Sequence, residues 1–104
     1  MEIIKYLEDS ENRKDLAEYI KRNIPELLRD NQNTLVIQRR NIGYSLVRRY
    51  DDDVNHFNFI HRFRTDLDFT NIVFDDLILD KKFKNIINQY YRKLKIKEIN
   101  ERSI

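Results

Sequence analysis

A chain of 104 residues with 40% apolar and 37% charged side chains, including six Tyr and six Phe, predicts one folded domain with a single core and excludes a disordered polymer. It has no cysteine, which excludes disulfides and thiolate metal sites, and no apolar run near the roughly 18 residues of a membrane span. The net charge of +2 conceals segregation: residues 1–30 carry −2, 31–50 carry +4, 51–80 carry −6 and 81–104 carry +6.

The opening residues contain neither the apolar core nor the cleavage site of a secretory leader, so a soluble, intracellular protein is expected. Ile3, Ile4 and Leu7 fall at helical spacing and predict a short first helix over residues 2–7. Ser10 is the expected cap of a second helix, with Glu11 in its first turn and Leu16, Tyr19, Ile20 and Ile24 along one face. Pro25 disfavours helix at the preceding residue but suits a new first turn, which places a break near Asn23 and Ile24 and a short helix over Pro25–Arg29.

From Thr34 the chain reads as two strands, Thr34–Arg40 and Tyr44–Tyr50, flanking a reversal at Asn41, Ile42 and Gly43, the sole glycine. A single helix would align Leu35, Arg39, Ile42, Leu46 and Tyr50, but would bury glycine and several β-branched residues in its interior. It would also set Arg39 and Arg40 about 900° of helical rotation from Arg48 and Arg49, on opposite sides, so no nucleic-acid groove could take both pairs. The hairpin is therefore preferred.

Asp51–Asp53 reads as the next turn, since adjacent carboxylates repel and Asp competes with regular structure. His56–Arg64 alternates with period two, and its face bearing Phe57, Phe59, His61 and Phe63 is expected to be the buried one. Thr65–Asp68 then makes a turn and Phe69–Phe74 a fourth strand. Asp75 or Asp80 is expected to cap a last helix whose Leu79, Phe83, Ile86, Ile87, Tyr90 and Leu94 repeat at helical spacing. Together these elements predict a single α+β domain over residues 1–104: N-terminal helices, an antiparallel β-meander of about four strands and a long C-terminal helix.

Two binding readings follow from the charge blocks. Arg39, Arg40, Arg48 and Arg49, with Tyr44 between them, can supply phosphate contacts and a stacking surface, and Lys84, Arg92, Lys93 and Lys95 of the last helix can extend it toward nucleic acid or a nucleoprotein. Cross-strand pairing of those arginines with the neighbouring aspartates is the structural alternative, and surface pairs of that kind contribute only about 0–1 kcal/mol each. The second reading assigns Asp51, Asp52, Asp53, Asp66 and Asp68 to a protein partner: a small phage or mobile-element inhibitor of a host nucleic-acid-targeting enzyme could present such an array in imitation of phosphates.

Enzymatic readings are weaker. Asp51–Asn55 begins like a calcium loop, but the loop's sixth position requires Gly and its twelfth Glu, where this chain has His56 and Arg62. Asp66 followed by Asp80 and Lys82 has the carboxylate and acid-x-lysine spacing of magnesium-dependent nucleases, a string that arises by chance in so charged a chain. His56 and His61 would fall on opposite faces of a strand, and His61 is expected to be a partly buried, hydrogen-bonded side chain. No catalytic residue, metal ligand or cofactor site is assigned, and no residue pattern carries a family resemblance; a non-enzymatic binding protein is expected.

Overall fold

The reversal at residues 40–43 forms because one residue permits it. Gly43 has φ +75°, and a Cβ there would run into the carbonyl of Phe63 on the neighbouring strand. The Arg40 N–H donates to the Gly43 carbonyl at 3.0 Å and closes the turn. In this computed structural model, which describes residues 2–28, 33–51, 53–71 and 74–102, the turn joins β1 (Asn33–Arg39) to β2 (Tyr44–Tyr50), and β3 (Asp53–Phe63) completes an antiparallel sheet of order β1-β2-β3.

The helices are α1 (Ile3–Tyr6), α2 (Ser10–Asn23) and α3 (Leu77–Arg102), with 3-10 turns at Pro25–Leu28 and Asp66–Phe69. Asp9, one residue ahead of the expected Ser10, caps α2 by accepting from Glu11 N–H at 2.9 Å. Asp76, rather than Asp75 or Asp80, caps α3, accepting from Ile78 and Leu79 N–H at 2.9 and 3.2 Å. The predicted break holds: α2 ends at Asn23, and Pro25 opens the 3-10 turn.

Among the described residues the sheet has three strands rather than the expected four. Thr65 and Asp68 form a reciprocal capping box, with the Asp68 carboxylate accepting from Thr65 N–H at 3.0 Å and from Arg64 N–H at 2.6 Å. That box winds residues 66–69 into a 3-10 turn where the predicted fourth strand should begin. Phe69 is fully buried and stacks on Phe63 at 4.0 Å between ring centroids; residues 72 and 73 of the expected strand lie outside the described residues.

One face of the sheet meets the helices. Leu35 and Ile37 of β1, Tyr44 and Leu46 of β2 and Phe63 of β3 share a core with Leu16, Ala17 and Ile20 of α2 and Phe83, Ile86, Ile87, Tyr90 and Leu94 of α3. Helix–helix order is fixed by hydroxyls: Tyr90 OH donates to the Asp15 carboxylate at 2.6 Å, so the 2.7 Å bond to Tyr6 OH has Tyr6 as donor. Burial, then the bonds to Asp15 and Tyr6, push the Tyr90 phenol far above its ordinary value. Among the described residues no helix is long and apolar enough to cross a membrane.

Candidate nucleic-acid interface

The face of the sheet away from the helices is set by a bulge. Leu46 pairs with His61 but the next residue, Val47, pairs with Phe59, so Ile60 is an extra residue on β3. Because side chains alternate with period two, one inserted residue exchanges the faces beyond it. Phe63 stays in the core with 0% exposure, whereas Phe59 and Phe57, expected to be buried beside it, are 63% and 38% exposed. His61 remains on the inner side, half-buried, with Nε2 3.3 Å from the Asp68 carbonyl and its ring edge-on to Phe63. Burial lowers its pKa, outweighing the opposite pull of the Asp68 carbonyl.

The register defines rows across the outer face: Thr34, Arg49 and Phe57; Val36, Val47 and Phe59; Gln38, Ser45 and Arg62. In the last row Arg40 reaches back from the turn, its Nε donating to Ser45 Oγ at 3.2 Å, which brings it beside Arg62, the cross-strand neighbour of that serine. Arg39, Arg40, Asn41 and Arg62 line an open concavity of about 530 Å3 at the hairpin end. Among the described residues the ion pairs are Lys82–Glu26 and Lys84–Asp80, so none of these three arginines has a carboxylate within 4 Å. Cross-strand neutralisation by aspartates does not occur there.

The other expected site residues separate. Arg48 has 7% exposure and points inward, its Nε donating to the Leu27 carbonyl at 2.6 Å. Tyr44 is 5% exposed in the core, with the Arg13 guanidinium 5.8 Å from its ring centre. Both faced the wrong way for an interface because position parity on β2 sends Tyr44, Leu46 and Arg48 to the helical side. Arg49 lies on the outer face near the β1 edge, apart from the hairpin concavity. Lys84 pairs with Asp80 at 3.0 Å, and Arg92, Lys93 and Lys95 are exposed on α3, in the layer beyond the core, so they do not extend the hairpin surface.

The acidic set is drawn into the fold. Asp66 accepts from Ile3 N–H, Ile4 N–H and Tyr91 OH at 3.1, 2.9 and 2.9 Å, joining α1, the 3-10 turn and α3. Burial raises the Asp68 pKa, but the N–H groups of Arg64 and Thr65 overcome it and hold the carboxyl below its ordinary value. Asp51 is exposed in the turn after β2; Asp52 lies outside the described residues, as does the side chain of Asp53. The carboxylates of the nuclease-like string do not act together: Asp80 is buried with Lys84 and Phe74 N–H, while Lys82 bonds Glu26 at 2.8 Å. Among the described residues no cluster of three metal-ligating side chains exists.

Sequence reading put Phe57 and Phe59 on the buried face and did not count Arg62, on the opposite face, among the site residues. The apolar–polar alternation lapses at the adjacent pairs Phe59-Ile60 and His61-Arg62, the one signal in the sequence that could have announced the bulge. Comparison of the chain with protein-family models, with curated proteins and with solved structures finds no match.

Proposed function

We propose that this protein binds single-stranded nucleic acid on the outer face and hairpin end of its sheet. The observation that carries the reading is the combination of two exposed phenylalanines, Phe57 and Phe59, with three arginines, Arg39, Arg40 and Arg62, that have no carboxylate partner among the described residues. Two positions apart on one strand face, the rings are separated by about 6.6 Å along the strand, a spacing that suits successive bases of an extended strand. Duplex bases, stacked on each other, offer no free ring face to such a platform. The arginines then bind phosphate, alone or within a nucleoprotein, and the reading requires no catalytic group or cofactor.

Stacking contributes about 1–3 kcal/mol per base, so Phe59→Ala should weaken binding roughly 5- to 100-fold. Three phosphate contacts give a salt slope near −2 for single strands, a fall of roughly 20-fold between 50 and 200 mM salt. The test is fluorescence anisotropy with 15-nucleotide dT and rU oligomers and a matched duplex. Arg62→Glu should lower both affinity and slope while the circular dichroism spectrum stays unchanged. No binding at 50 mM salt, or binding indifferent to both Phe59→Ala and Arg62→Glu, would overturn the assignment.

A further inference from the structure

The two edges of the sheet are built differently. β3 is interrupted by register shifts at Leu46/Val47 and at Arg49/Tyr50 of its partner strand, and such irregularities bend an edge away from further pairing. β1 has an unbroken register from Asn33 to Arg39, and between Thr34 and Gln38 it has no charge, proline, glycine or bulge. Among the described residues, no backbone group of β1 bonds to any segment but β2. Among the described residues neither charge, proline nor bulge blunts this edge, and α2 beside it leaves a groove along the strand.

Alongside that edge, between β1 and α2, runs a groove of about 370 Å3. Residues 34–37 form one wall, and Lys14, Ala17 and Glu18 of α2 form part of the other, with Arg13 at one end. Arg49 also lines it, reaching past Thr34, its cross-strand neighbour. The Arg49 Nε is buried and has no hydrogen-bond partner, a condition that costs about 1–3 kcal/mol for a polar atom and more for a charged group. Three cations and one carboxylate therefore surround a groove whose floor includes apolar Ala17, Leu35 and Ile37.

We propose that an extended acidic segment of another protein adds to the free edge of β1 as a further strand. Main-chain bonds to β1 supply its register, and alternate side chains divide between the two faces. A carboxylate opposite Thr34 on the outer face lies two strand spacings, about 9.6 Å, from the Arg49 backbone, a gap that the Arg and Glu side chains span together. It gives the orphaned Nε its acceptor. Apolar residues on the other face enter the groove against Ala17 and Leu35, and Lys14 meets a second carboxylate at the rim. A second copy of this chain fits less well, because its own β1 would bring its α2 into the space beside the first, whereas a lone strand brings no helix. This surface is separate from the hairpin concavity and meets the phenylalanine platform only where Arg49 neighbours Phe57, and the proposal does not rest on nucleic-acid binding.

The experiment uses the full chain, 15N-labelled, titrated with an acetylated, amidated seven-residue peptide alternating Glu and Val. The expected result is amide shift changes confined to residues 34–38 and the groove-facing side of α2, with binding at least tenfold weaker for Arg49→Gln and for the peptide with Lys in place of Glu. Arg49→Gln should fold as well as the parent, since it removes an unsatisfied atom; Lys14→Glu is a second variant expected to weaken binding should that one not fold. The proposal is overturned by no shifts at millimolar peptide, by equal binding of the Lys peptide, by shifts centred on Phe57 and Phe59, or by concentration-dependent β1 shifts without peptide, which would identify a second copy as the occupant.

Discussion

Replacing Asp66 by Ala should destabilise this protein strongly. The carboxylate accepts three hydrogen bonds, from Ile3 N–H, Ile4 N–H and Tyr91 OH, and it joins segments more than 60 residues apart in sequence. Bonds to a charged acceptor contribute about 1.5–3 kcal/mol each when buried, and this partly buried set belongs near or below the low end, about 3–4 kcal/mol in total. For a domain of this size that corresponds to a fall in Tm of roughly 12–30 °C. Urea unfolding followed by circular dichroism reads the loss, and a cycle of Asp66→Ala with Tyr91→Phe should show coupling of about 1 kcal/mol. Burial, then the bond to Asp66, pushes the Tyr91 phenol up to about 12 from 10.0. A raised folded-state value means the contribution is complete below pH 10 and lost as the pH rises through 12, a dependence that Tyr91→Phe should flatten. A loss below about 0.5 kcal/mol for Asp66→Ala, or zero coupling, would refute the reasoning and return Asp66 to the list of surface residues open to a partner.

Gly43→Ala should cost at least about 2 kcal/mol, because the position combines φ +75° with a carbonyl in the path of any Cβ; a urea midpoint within error of the parent would contradict the geometry. Arg48→Met keeps the volume but leaves the Leu27 carbonyl without its 2.6 Å donor, so stability should fall by about 1–3 kcal/mol while oligonucleotide affinity stays within twofold. Affinity lost without loss of stability would place Arg48 at the interface after all. His61 is held neutral by burial, so its folded pKa lies below its unfolded one: stability is complete above pH 6.5 and declines as the pH falls below it, and His61→Gln should show a shallower decline between pH 7 and 5 in thermal melts.

The hairpin was legible because its signals are local. A lone glycine, two β-rich runs and an impossible helical placement of the arginines all bear on residues 33–50, and β2 begins and ends where expected. The long helix was legible for the same reason, as six apolar residues at one spacing define its buried face. Two features resisted. Phe69–Phe74 has strand composition, but the expected turn at Thr65–Asp68, tightened by its capping box, runs on through Phe69, and the Thr70 and Asn71 N–H groups bond back to the Leu67 carbonyl, so local hydrogen bonds override β-propensity over residues 69–71. The Ile60 bulge depends on how β3 meets β2, a long-range pairing whose only sequence trace is the lapse in alternation at Phe59-Ile60, yet it decides which phenylalanines face solvent. Residue type thus located the basic surface on the hairpin, but only the structure separated Arg40 and Arg62, and Arg39 exposed at the strand end, from Arg48, buried on the face that Arg39 shares by register.

Charge segregation along the chain survives folding in part because five of its eleven aspartates bond to backbone amides instead of to arginines. Asp9, Asp66, Asp68, Asp76 and Asp80 each accept from at least one main-chain N–H, at helix starts, turns or the junction with α1. An exposed arginine offers such a carboxylate only about 0–1 kcal/mol, less than an N–H that would otherwise lack an acceptor. Distance completes the separation: Asp51 follows the far end of β2, seven residues or about 23 Å from the turn that holds Arg40. That is well over two Debye lengths at physiological salt, so its charge is screened before it reaches the hairpin concavity. The arginines at residues 39, 40 and 62 keep an unneutralised field because, among the described residues, Asp66 and Asp68 are engaged with backbone and Asp51 is too far away.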